Sequence, residues 1–489
     1  MALTKVTSGV RTLGTGEVTA ANLASGAVDT SGLEDDVALL GFKVASNGSL
    51  AKYNLVDQTV DDFQDTSGVD ASASTNEVRD SSGKYYSGTV LGSYSTDSIT
   101  ATGAGTWTAP ADTILAEVLT VAAGGGGGGY YYAGGGGAGG VVHDSTYAVT
   151  AGVVYDITVG TGGTAGTGGG GKGGSGSDSV FNVNAEGSGL ALTAAGGGGA
   201  GSYGAPPTNT GIDGGSGGGA GPDHNSGEGV GGSSTQASFS GATSYGNAGG
   251  SSGSYGQGGS GGGGAGEAGN VDGVPGSVAG KGGYGGDGVL FSNFTSYGVS
   301  GYFGGGAGGG GGSGPSIAGP GGTGGGGNGA AYNSSAPVVG TANSGGGGGG
   351  GSYHVGTPST STGAAGGSGV VLIRHRTEVY NNMTLVSTTT AAQAAPTKGD
   401  VVFTYTDSIG TATLGTDLTA EISADGGSTW TAMTLGSEGS TGTHKIATAH
   451  DVTISSTITA PWNMAYRIKS LNQSGTKATR IQAVSLGWS

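Results

Sequence analysis

GGGGGGYYYAGGGGAGG, residues 124–140, sets three consecutive tyrosines between two runs of glycine. It reads either as disordered spacer or as a scaffold made of backbone, and that choice decides the fold. Glycine loses more conformational freedom on ordering than any other residue, so an ordered glycine tract needs strong compensation. Packed extended helices of the polyproline II type, three residues per turn, supply it. Lacking Cβ atoms, such helices approach closely and bond laterally through N–H···O=C and Cα–H···O contacts. On the scaffold reading, residues 124–140 are two struts joined by a turn at Tyr130, Tyr131 and Tyr132; as the first turn after the entry strand it is expected at the inner rim, its rings capping the glycine core instead of touching a receptor.

The surroundings favour the scaffold. Glycine makes up 120 of 489 residues and proline only 11, without the strict three-residue glycine period of collagen. A Gly/Ser linker would lack the aromatics and short apolar strands found here. The stretch opens with TWTAPADTILAEVLTVAAGGGGGG and closes with GGSGVVLIRH, which holds a buried-type strand at Val370–Ile373. In YAVTAGVVYDITVGTGG, Val153, Tyr155, Ile157 and Val159 alternate on one strand face. Between opening and closing strands, glycine blocks alternate with loop candidates such as SYGAPPTNTGID and AAYNSSAPVV. The loops carry Tyr203, Tyr245, Tyr255, Tyr297, Tyr302, Phe303, Tyr332, Tyr353 and His354. Each ring is either a recognition residue or a lid that keeps water off the glycine.

Outside 101–376 the pattern is ordinary β. Residues 1–36 space Leu13, Val18, Leu23, Val28 and Leu33 five apart, fitting short extended segments that need partner chains, or a flexible tail. Residues 37–100 read as strands with an Asn47-Gly48 turn. Residues 377–489 show strands of five to eight residues broken by turn residues, the pattern of a β-sandwich or jelly roll. The expected fold class is all-β with little or no α-helix. The segments 37–95 and 380–489 are also compatible with one sandwich that carries the glycine-rich domain as an insertion.

Charge and composition narrow the function. The net charge is −17, and Lys84, Lys172 and Lys281 are the only cations between Arg79 and Arg374, histidine aside. A surface that tracks nucleic-acid phosphates needs clustered Lys/Arg. Zero cysteines exclude disulfides, thiol catalysis and Cys-based zinc sites. MALTKVTSGV lacks an apolar stretch of signal-peptide length, and no run approaches a transmembrane helix, so the expectation is a soluble protein assembled in a cytoplasm.

Motif matches carry little here. GGSGG at 214–218 satisfies G-x-S-x-G by composition alone, without the required strand–turn–helix context. GGSGSDSVF (173–181) and GGYGGDGVL (282–290) fit a calcium-binding nonapeptide through Asp178 and Asp287, but such sites need stacked tandem copies, and a turn before a strand explains both. SADGGSTW (423–430) matches an Asp-box, a structural hairpin in which Asp425 bonds the turn and Trp430 packs behind it. Asp61 and Asp62 are adjacent and point to opposite strand faces, poor geometry for paired acids. No cofactor and no catalytic set is expected.

The span from TWTAPADTILAEVLTVAAGGGGGG to GGSGVVLIRH resembles the glycine-rich domain of phage tail fibres and adhesins, notably marine ones. GEVTAANLASGAV is similar to fibre-shaft segments near virion attachment points. NLVDQTVDDFQDTSGVDASAS and NNMTLVSTTTAAQAAPTKGDVVFTYTDS through RIQAVSLGWS look like two parts of a domain found in such fibres. The resemblance implies a virion appendage, usually a homotrimer, anchored to other tail proteins by its N-terminus. It further implies binding to a host-surface receptor, a glycan or an outer-membrane protein, through loops displayed on packed polyglycine helices. The alternatives are a glycan-cleaving tailspike and a bacterial surface adhesin.

Overall fold

The computed structural model describes residues 52–489 apart from 56, 112, 114, 188, 224–227, 253–257, 272–279, 313–316, 354–361 and 456. The segment 1–36, Tyr255 and His354 therefore lie outside the described residues. The chain divides into two compact units, residues 93–377 and residues 1–92 with 378–489. No α-helix occurs among the described residues; the regular structure is antiparallel β.

In the unit 93–377, the opening strand Leu115–Val121 pairs antiparallel with the closing strand Val370–His375, Val121 opposite Val370. Val141–Ala148 and Thr243–Tyr245 extend the sheet on one side, and Ser95–Ile99 extends it on the other. Because Ser95–Ile99 pairs with Val371–His375, the glycine-rich unit begins several residues before 101. A second sheet orders Gly103–Thr108, Val154–Val159, Ser179–Phe181 and Leu192–Ala194.

Both faces of the first sheet are buried, which is why its central strands read as continuous apolar runs. Val118, Val142, Val371 and Ile373 face Trp107, Tyr155, Ile157 and Phe181 of the second sheet. Leu119, Val121, Val370 and Leu372 face the other way, onto Phe291, Phe294 and Phe303.

The glycine tracts form a lattice. Counting along 124–129, the N–H groups bond in rotation to three tracts: Gly124 and Gly127 to Gly367 and Ala364, Gly125 and Gly128 to Gly137 and Gly134, Gly126 and Gly129 to Gly174 and Gly171, all at 2.8–3.1 Å. A three-residue repeat of donors is the signature of a threefold extended helix. Tract 133–140 lies at the axis. Its N–H groups bond to 345–351, 195–201 and 260–263, and its carbonyls accept from 122–128, 216–219 and 307–310. The surrounding tracts make a hexagonal array, with every backbone N–H and carbonyl of 133–138 paired sideways.

Close approach, rather than unusual torsion, demands glycine here. None of the glycines in 124–129 or 134–140 has a left-handed φ. A Cβ on Gly136 would stand 2.1 Å from the Gly125 carbonyl oxygen, and one on Gly127 would stand 2.0 Å from that of Gly349.

The other unit is a β-sandwich. One sheet runs in the order Lys52–Leu55, Gln58–Asp61, Ala478–Trp488, Lys398–Ile409, His444–Thr453 and Gly436–Thr441. The facing sheet runs Met383–Val386, Asn463–Ser470, Leu418–Ser423 and Thr431–Met433. Val401, Phe403, Val484 and Leu486 meet Leu385, Leu418, Ile422 and Ile468 between them. Thr59 pairs with Leu486, so residues from both sides of the glycine-rich unit share one sheet.

Two features of this sandwich follow from local chemistry. At 423–430, Asp425 accepts from the Thr429 N–H at 2.8 Å and from its hydroxyl at 2.7 Å, while the Arg467 guanidinium stacks on Trp430 at 4.4 Å. Asp417, buried, accepts from Lys477 Nζ at 2.7 Å, Asn472 Nδ2 at 2.9 Å and the Thr413 N–H at 2.9 Å. Those bonds hold its carboxyl down at about 2.

Two outcomes are expected. Gly136→Ala should lower the melting temperature sharply or prevent folding, at a cost of about 3 kcal/mol or more because only backbone can move aside. Gly169→Ala, whose Cβ meets nothing within 4 Å, should leave it unchanged in the same thermal scan. A carboxyl depressed in the folded state stabilises above its unfolded pKa and loses that effect as pH falls through the folded value. Asp417→Asn should therefore destabilise the sandwich at pH 7, and in urea titrations the difference from wild type should shrink below pH 3.8 and vanish near pH 2.

Candidate functional site

The lattice has two ends. At one, tracts run into the sheets described above; at the other, the chain reverses. Ala133 donates to Gly351 at 3.0 Å, Gly134 to Gly201 at 3.0 Å and Ala330 to Gly350 at 2.8 Å, so the residues after 129, 201, 330 and 351 emerge together at the turn end. Backbone bonds position the side chains that follow. Ser202 Oγ donates to the Gly129 carbonyl, Ser352 Oγ donates to that of Gly311 at 2.7 Å, and the Asn333 N–H donates to the Tyr353 carbonyl at 3.1 Å.

Six tyrosines meet there. Tyr131 stacks on Tyr353 with centroids 4.5 Å apart and planes within 13°. Tyr130 meets Tyr131 edge-on at 4.1 Å, and Tyr203 lies 5.7 Å from Tyr131 and 5.9 Å from Tyr132. Tyr332 packs on Tyr353 at 5.4 Å. Tyr132 is buried and the other five are partly exposed. Burial, and then the neighbouring hydroxyls of Tyr130 and Tyr353, push the Tyr131 phenol well above its ordinary value, so it stays neutral. The result is an aromatic floor that offers ring faces and phenol hydroxyls, with no charged side chain among its six residues.

Of the loop residues singled out in the sequence, the structure brings Tyr203, Tyr332 and Tyr353 to this end. It sends Tyr245, Tyr297, Tyr302 and Phe303 to the sheet end. Phe303 is fully buried in the core beside Phe291, so it is a packing residue and not a loop tip. Tyr245 pairs opposite Val141 at the sheet edge, its ring 5.8 Å from Phe291. Tyr297 packs on the same core, and Tyr302 pairs opposite Leu290 in a short hairpin. Phe303, Tyr245 and Tyr297 belong to the apolar cover of the sheet.

Asp178 and Asp287 pin tract ends: each accepts a backbone N–H at 2.7 Å, from Gly196 and Thr323 respectively. Among the described residues no group of three or more His, Asp or Glu side chains is placed to hold a metal.

A second polar cluster lies on the first sheet and escaped the sequence reading. Glu117, buried, accepts from Arg374 at 2.9 Å and from Asn293 at 2.9 Å, and pairs with His143 at 2.9 Å. Burial opposes its charge, but the bonds from Asn293, His143 and Arg374 prevail and hold the carboxyl below its usual range. The visible signal was an acid in AEVLTV and a base in VVLIRH, at positions that pair in register. Its partners are all internal, which makes it a structural clamp between opening and closing strands.

The glycine-rich domain family matches residues 99–376, more than half of the chain. The protein belongs to that family. No curated protein matches the chain. The family span coincides with the unit that carries the lattice and its tyrosine end.

Proposed function

We propose that the protein is a non-enzymatic attachment protein of a phage virion, a tail fibre or receptor-binding protein whose glycine-rich unit presents the tyrosine-lined end to a host-surface receptor. The observation that carries this reading is the convergence of Tyr130, Tyr131, Tyr203, Tyr332 and Tyr353 on the turn end of a rigid base. Rigid aromatic anchors on loops above a fixed scaffold bind with little loss of conformational entropy. The resemblance of the opening and closing sequences to fibre domains supports the virion setting, as does the five-residue apolar spacing at 13–33, which suits a shaft that needs partner chains. On this reading the chain assembles as a homotrimer and joins other tail proteins through its N-terminus.

The test is replacement of turns 202–208 and 331–337 by Gly/Ser turns of equal length in the assembled particle. Virion yield should be unchanged and adsorption to the host should fall at least tenfold. Unchanged adsorption would remove the receptor role from this end.

A further inference from the structure

The tyrosine turn is strained in a chain that had an easy way to avoid it. Tyr130 has φ 74° and Tyr132 has φ 50°, left-handed backbone that an aromatic side chain adopts at a cost and glycine adopts freely. At the same end, the reversal between tracts 160–167 and 171–177 places Gly170 in the left-handed conformation, φ 97°. Connecting two tracts therefore does not call for tyrosine. Residues held in costly backbone regions persist where the side chain is needed for something else.

The chemistry of the floor narrows what that is. Its six residues offer ring faces and phenol hydroxyls and no cation, and the chain carries a net charge of −17. The two lysines of the glycine-rich unit are already engaged, Lys172 by the Pro207 carbonyl at 3.2 Å and the Thr210 hydroxyl at 3.3 Å and Lys281 by the Tyr284 hydroxyl and ring, so phosphorylated or carboxylated glycans would meet repulsion with little to offset it. Ring faces suit the C–H face of an uncharged sugar, and phenols pair with its hydroxyls in either direction. The stacked Tyr131–Tyr353 pair and the edge-on Tyr130 present rings in different planes, matching a chain of linked sugars better than one flat surface. We propose that the tyrosine end binds an uncharged glycan, with Tyr130 and Tyr132 retained in strained backbone to shape its floor. This deepens the attachment reading and rests on it.

The full-length protein with Tyr130→Gly, a change at the partly exposed strained position, tests it against wild type in three measurements: melting temperature, binding to an array of neutral glucans, mannans and galactans beside heparin and polygalacturonate, and adsorption to a panel of bacterial cells. The variant should melt at the same temperature or higher, because strain is relieved, while neutral-glycan binding falls at least tenfold. Wild type should leave heparin and polygalacturonate unbound. A melting temperature well below wild type with glycan binding retained would make the rings caps and overturn the proposal. Wild type that adsorbs to cells through these tyrosines yet binds no neutral glycan would overturn it in favour of a protein receptor, leaving the attachment reading intact. Wild type that binds neutral glycans but no cells would uphold the glycan site and remove the attachment reading alone.

Discussion

The structure of the glycine-rich unit depends on how closely one backbone can approach another. Where two tracts touch, a carbonyl oxygen of one lies about where a Cβ of the other would be: 2.0 Å from the Thr164 oxygen at Gly126 and 2.1 Å from the Gly136 oxygen at Gly347. That distance lets N–H and C=O groups of adjacent tracts bond directly, three neighbours in rotation for donors and three for acceptors. The lateral bonds offset the large ordering entropy of glycine, and each counts only because its neighbours are already in place. A Cβ placed where a neighbouring carbonyl stands, as at Gly136, disturbs several tracts at once, whereas Ala133 and Ala138 keep theirs buried in the same tract.

Rigidity follows from the same constraint, and so does the placement of chemistry. A lattice of backbone has no side chains to spare inside, so nearly all side-chain chemistry is pushed to tract ends and edges. At the sheet end, Phe291, Phe294 and Phe303 cover the first sheet, and Glu117 ties Arg374 to His143. At the turn end, the tyrosines pack on each other over backbone. One end is an apolar seam with a clamp, and the other is an aromatic floor that water reaches.

Much of this was legible. The strands flanking the glycine tracts announced themselves by apolar runs, and their pairing, Val121 opposite Val370, follows from a unit that must close on itself. What local sequence could not separate was the two ends. The tripeptide Ser-Tyr-Gly occurs at 202–204, 244–246, 254–256 and 296–298, the third of these outside the described residues. Tyr203 lies on the aromatic floor, whereas Tyr245 and Tyr297 pack on the apolar core. Identical neighbours leave the same local preference; the difference is whether the tract before the tyrosine runs away from the sheets or back toward them. Tyr130–Tyr132 were legible as a turn, but the expected inner rim was not their place: they lie at the turn end with Tyr203 and Tyr353, Tyr130 and Tyr132 in left-handed backbone.

By itself the sequence determined the class of structure: abundant glycine in runs, scarce proline and alternating apolar strands leave packed extended backbone as the ordered solution. Only the tertiary structure decided which tract became the axis, that Thr59 pairs with Leu486 to bring the two flanking segments into one sheet, and which tyrosines meet. The physical reason is that glycine tracts are chemically alike. Their neighbours are chosen by the geometry of the turns between them and by the strands that hold the first and last tract, and these act only once the whole unit is assembled.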